Sequence, residues 1–134
     1  MSKSNATEND FMLYTFNGTA FSWNAVVKLD VHLHTGDPGE GGTSATSEAD
    51  YGDYALVQVD RTSGGWTVSG NQASNTALIQ FPTCASGSNT ITHVSITPRA
   101  STQILYSGAL GTPLSVSTGI QPQFAAGQLV ITED

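Results

Sequence analysis

Apolar and polar residues alternate with a period of two along most of the chain, and the pattern is clearest between Asn75 and Pro98. Ala77, Ile79 and Phe81 share one face of a first run, and Val94 and Ile96 share one face of a second. Pro82 has no N–H to give a neighbour and closes the first run, and Ala85–Asn89 supplies small polar loop residues. The pattern predicts a hairpin at the centre of a sheet. Upstream, Val27, Leu29, Val31 and Leu33 alternate with Lys28, Asp30, His32 and His34, which predicts a half-buried strand with the second set on its wet face. A polar, glycine-rich loop runs from Gly36 to about Asp53. Ala55, Val57 and Val59 then resume a strand, and Ser63-Gly64-Gly65 predicts a tight turn that pairs it with Trp66–Val68. Residues 70–74 read as a connection. The last third predicts short strands at 104–108, 113–117, 122–125 and 128–132, cut by Gly111, Gly119 and Gly127.

The N-terminal stretch breaks this alternation. Thr7 offers an N-cap, Glu8, Asn9 and Asp10 suit a first helical turn, and Gly18 can stop the helix, so one short helix is expected over 8–16. Residues 1–6 read as a loose arm or one laid along a neighbour. The fold class expected is all-β: an antiparallel two-sheet β-sandwich of about eight or nine strands with one short N-terminal helix. A single domain is expected, with arm and helix in 1–24 and the sandwich in 25–134. At 134 residues the chain is long enough to bury roughly two-thirds of its unfolded surface.

Composition narrows the function. Four basic residues, Lys3, Lys28, Arg61 and Arg99, face eleven acidic ones, and a net charge of −7 argues against a phosphate-tracking surface, so no nucleic-acid partner is expected. No apolar run approaches the ~18 residues of a spanning helix, so no membrane partner is expected. The N-terminus lacks the apolar stretch of a signal peptide, and synthesis in a cytoplasm is expected. Cys84, the one cysteine, makes an intramolecular disulfide impossible. The sequons at Asn5 and Asn17 read as chance in a threonine-rich chain.

Six fragments in order carry a resemblance from about Phe11 to Thr132: Phe16–Phe21, Leu33–Gly39, Phe81-Pro82, Ile91–Ile96, Tyr106–Leu110 and Phe124–Leu129. Together they resemble a family of small tailed-phage proteins often labelled tail fibre or minor tail protein. The resemblance implies a β-sandwich fold, no catalytic residues and a structural place in the virion.

Candidate chemistry is sparse. Asp30, His32 and His34 at i, i+2 and i+4 of one strand have metal-ligand spacing, but a wet strand face needs polar side chains, and solvated or interface histidines are the stronger reading. His93 reads as a satisfied sheet histidine. Seven acids between Lys28 and Arg61, Asp30, Asp37, Glu40, Glu48, Asp50, Asp53 and Asp60, follow no ordered calcium-loop spacing, so a solvated acidic loop is expected. No nucleophile elbow or base-paired cysteine is present, and no enzyme activity, metal or cofactor is expected. Trp23, Trp66, Tyr51 and Tyr54 are the residues for a sugar-stacking platform, with core or interface aromatics the stronger reading. Phe11, Tyr14, Phe16, Phe21 and Trp23 are a large apolar load for one end of a small domain and are the candidate subunit interface. The leading expectation is a capsid decoration protein that reinforces the head shell. A tail or fibre-base subunit is the alternative, and a carbohydrate-binding module is the reading from another class. The partners expected are other copies of the chain, as a trimer, with the major capsid protein or a tail protein.

Overall fold

The strand from Ser88 to Pro98 lies in the interior of the largest sheet, with its last five residues all buried. In the computed structural model, which describes residues 1–134, helix α1 (Asn5–Asn17) precedes nine antiparallel strands. Numbered in chain order, these are β1 (Lys28–His34), β2 (Val57–Asp60), β3 (Trp66–Ser69), β4 (Gln72–Asn75), β5 (Ile79–Gln80), β6 (Ser88–Pro98), β7 (Tyr106–Ser117), β8 (Gln123–Phe124) and β9 (Val130–Thr132). A four-stranded sheet has the order β2-β1-β6-β7, a three-stranded sheet the order β3-β4-β9, and β5 and β8 form a two-stranded sheet. One core joins them: Val31, Leu33, Ile91, Val94, Ile96 and Val116 from the large sheet meet Trp66, Ile79, Phe81, Leu129 and Ile131. The result is the expected all-β sandwich, its second layer split into two hydrogen-bonded pieces.

Several pairings differ from the sequence reading. The run ending at Phe81 contributes only β5, which pairs with β8 and not with β6. After Phe81 the chain bonds to the 117–122 segment, Phe81 N–H to Pro122 O at 3.0 Å and Cys84 N–H to Ile120 O at 2.9 Å, so the expected central hairpin is absent. The Ser63-Gly64-Gly65 turn does not join two paired strands either: β2 pairs with β1, while β3 pairs with β4. Gly65 lies so close to the Asp60 carbonyl that an added Cβ would sit 2.0 Å from its oxygen, and this tight passage hands the chain from one sheet to the other. The hairpin is instead β3–β4, with Ser69 opposite Gln72 and Gly70 at φ 60°, so the expected 70–74 connection is partly strand. Gly111 does not cut the chain. The register jumps from Ile91 opposite Leu114 to His93 opposite Ala109, and residues 110–113 are absorbed as a bulge inside the continuous β7.

The helix starts earlier than expected. Ser4, not Thr7, is the N-cap: its side chain accepts from Thr7 N–H, and Thr7 is buried inside the first turn. Gly18 ends the helix in the left-handed region at φ 65°, as its lack of a Cβ allows. The arm is not loose, because Ser2 and Ser107 exchange two backbone hydrogen bonds of 2.9 Å along the edge of β7.

Candidate functional site

The polar face of β1 is sealed, which corrects the solvated reading: Asp30, His32 and His34 are 2%, 3% and 0% exposed. Alternation placed them rightly on the face away from Val31 and Leu33, but residues 44–49 cross over that face. His32 Nδ1 donates to Glu48 Oε1 at 2.7 Å and its Nε2 meets the Thr97 hydroxyl at 3.1 Å. His34 Nδ1 donates to Thr46 O at 2.8 Å, and its Nε2 lies 2.7 Å from Ser95 Oγ. Burial holds the His34 pKa below its ordinary value, which suits a neutral ring that donates at one nitrogen and accepts at the other. All four ring nitrogens are occupied by protein groups, so this row gives the network its rigidity and offers no lone pair to a metal. Asp30 Oδ2 accepts from Ala100 N–H at 3.0 Å. His93 Nδ1 is 2.8 Å from Thr92 Oγ1.

The acidic loop is solvated as expected, with Asp37, Glu40, Asp50 and Asp53 exposed, and side chains along it are held by protein contacts. Glu48 accepts from the Tyr54 hydroxyl as well as from His32, Asp50 accepts from Asn89, and Asp37 accepts from Gly39 N–H. The acids are dispersed among these separate contacts, and no three metal-ligating side chains come together. Of the four aromatics for a sugar platform, Tyr51 and Trp66 are core residues at 3% and 8% exposure, and the Tyr51 hydroxyl donates to Pro82 O at 2.6 Å.

The candidate interface residues come together at one end of the sandwich. Thr7 Oγ1 donates to Ile104 O at 2.8 Å, and Gln103 Nε2 reaches Thr7 Oγ1 and Asp10 Oδ2 at 3.0 and 2.7 Å, which turns one stripe of α1 inward. Phe21 is the hub of the aromatics: its ring centroid lies 5.1 Å from Phe11, 4.9 Å from Tyr14 and 4.5 Å from Trp23, stacked on the last two. Arg61 lies over Trp23 at 5.3 Å, and its Nη1 donates to the Trp23, Asn24 and Val26 carbonyls at 3.3, 3.1 and 3.0 Å. It thus clamps the segment after the helix onto the end of β2. Phe16 stands apart from this stack at 74% exposure, with Met12 one turn back at 58%, while Tyr14, inside the stack, is 55% exposed.

Between α1 and the sandwich lies a mostly apolar cleft of about 540 Å³, lined among others by Phe11, Trp23, Leu29, Trp66, Tyr106 and Ile131, with Arg61 and Val68 also on its wall. The indole N–H groups of Trp23 and Trp66 are buried without an acceptor. A clasp of the two chain ends borders it: Glu133 takes an ion pair from Lys3 and a hydrogen bond from the Tyr106 hydroxyl, while Lys3 Nζ sits 5.4 Å from the Phe11 ring and 5.9 Å from the Tyr106 ring. The hydrogen bond from Lys3, then that from Tyr106, hold the Glu133 carboxyl below the usual range; burial, and then Glu133, push the Tyr106 hydroxyl well above its own. Sequence reasoning missed Arg61, Lys3, Tyr106 and Met12 as members of this end. Arg61 carried the one available signal, a scarce cation directly after a strand.

No helix is long and apolar enough to cross a membrane. No curated protein matches the chain. Residues 2–132 match the protein family described as podophage GP4 fiber I protein gp80. That description names a structural fibre protein of a phage, nearer to the tail or fibre-base expectation than to decoration of the head shell. With nearly its whole length inside the match, the chain belongs to this family of tailed-phage virion proteins.

Proposed function

We propose that the protein is a non-enzymatic tail or fibre-base subunit of the phage particle. It works as a symmetric oligomer, a trimer, with the helix end of the sandwich at the contact between copies and a tail protein as its further partner. One observation carries this reading: Met12 and Phe16, one helical turn apart, are 58% and 74% exposed on a helix whose opposite stripe is already docked. An apolar outer stripe beside an apolar inner one has no use in an isolated sandwich, and it suits a surface that a second subunit covers. The fibre description of the family supports the tail over the shell.

Copy number tests it. Closed assembly around a single axis gives about three to a few dozen copies per particle, whereas repeated sites on a shell require hundreds. Quantitative gels of purified particles are expected to give the low number. Hundreds of copies would overturn the reading in favour of capsid decoration, and absence from particles would overturn both and leave a carbohydrate-binding module.

A further inference from the structure

We propose that the cleft between α1 and the sandwich is the socket for a second copy of this chain, filled by that copy's Phe16 and Met12 and the C-terminal turn of its α1. The inference rests on the self-association just proposed and names its occupant and its mode.

Two surfaces at this end of the molecule are complementary in shape and polarity. The socket is concave and apolar, with a volume of about 540 Å³ that falls within the range of ordinary ligand pockets. Among its polar groups is the partly exposed Arg61 guanidinium. Arg61 takes part in none of the ion pairs, which are Lys3–Glu133, Lys28–Asp60 and His32–Glu48. The knob has the opposite character. Phe16 and Met12 are exposed apolar side chains one helical turn apart. The backbone bond that closes the helix, from Thr19 N–H, ends on the Leu13 carbonyl, so the carbonyls of the last turn stay open as acceptors. No basic side chain neutralises that negative end of the helix. A cation meets a helix C-terminus, and an apolar knob meets an apolar cleft.

One chain cannot satisfy itself. Thr7 and Phe11 line the socket from the inner stripe of α1, while Met12 and Phe16 lie on the other side of the same helix. The contact therefore joins two different patches of neighbouring copies, a heterologous interface, and such an interface closes into a ring when the rotation between copies is right. Trp, Tyr and Arg are also the side chains that dominate binding energy at interface centres.

The test uses two full-length variants, both at exposed positions so that the fold is retained: a knob variant, Met12→Ser with Phe16→Ser, and a socket variant, Val68→Asp, Val68 being 73% exposed on the cleft wall. Sedimentation velocity over a concentration series is expected to show a closed oligomer for the parent chain and at least about tenfold weaker association for each variant alone. An equimolar mixture is expected to form one-to-one pairs and nothing larger, because it retains one intact knob and one intact socket. Variants that assemble like the parent would overturn the knob and socket while leaving self-association standing. A parent chain monomeric at every concentration would overturn both readings. Cysteine cross-linking does not depend on loss of assembly: a Phe16→Cys chain mixed with a Val68→Cys chain is expected to form mixed disulfides, Cys84 being buried at 2% exposure. Cross-links only between like chains would make the interface isologous and overturn the proposal.

Discussion

The two faces of β1 are equally dry and are kept dry by different physics. On one, Val31 and Leu33 pack into the shared core; on the other, His32 and His34 lie under the 44–49 segment with every ring nitrogen bonded. The first face is held by the area removed from water, which is non-directional and indifferent to pH. The second is held by directed contacts whose worth lies mostly in the cost of breaking one partner away from another. A period of two therefore tells which residues share a face, and it does not tell whether that face is wet.

The largest expected effect is on the apolar side. Phe81, 0% exposed and in contact with Tyr54 and Phe124, should cost about 3–5 kcal/mol when changed to alanine, read as a lower urea midpoint at an unchanged slope. On the polar side, His34→Ala strands the Thr46 carbonyl and the Ser95 hydroxyl and should cost about 1–3 kcal/mol at pH 8. If the two losses were equal in kind, both would be insensitive to pH. They are not expected to be: burial lowers the folded-state pKa of His34, so the unfolded chain takes up the proton first. The stability that its neutral form contributes is complete above about pH 6.5 and is lost as pH falls from there through the folded-state value. Urea midpoints at pH 8 and pH 5.5 should fall further for the parent than for His34→Ala, while Phe81→Ala keeps the parent's pH slope. The smallest effect belongs to neither face. Glu133→Gln weakens a clasp that is partly exposed to water and should cost less than about 1 kcal/mol, yet speed amide exchange at Ser2 and Ser107.

Much of the fold was legible because it is local. Gly18 ends the helix through its own backbone freedom, and the alternation in β1 and β6 follows from where Cβ atoms point. Pairing was not legible, since a turn such as 63–65 announces that the chain changes direction without saying which sheet receives it. The bulge at 110–113 hid a continuous strand because Gly111 and Pro113 are breakers only when nothing opposite accommodates them. The aromatic end was legible as a cluster in sequence, Phe11 to Trp23. The groups that finish it, Lys3, Arg61, Trp66, Tyr106 and Glu133, arrive from distant segments, and apart from the place of Arg61 directly after a strand no local pattern marks them.

The strand order β2-β1-β6-β7 also sets a timetable. Synthesis runs from the N-terminus, so β1, ending at His34, leaves the ribosome long before β6 begins at Ser88, and β6 is the strand it pairs with along most of its length. Until then its alternating Leu29, Val31 and Leu33 and its two histidines have only the short β2 as a neighbour. The nascent chain must stay unpaired at what will become its best-buried strand, and the sheet closes late, when the last third of the protein is already being made.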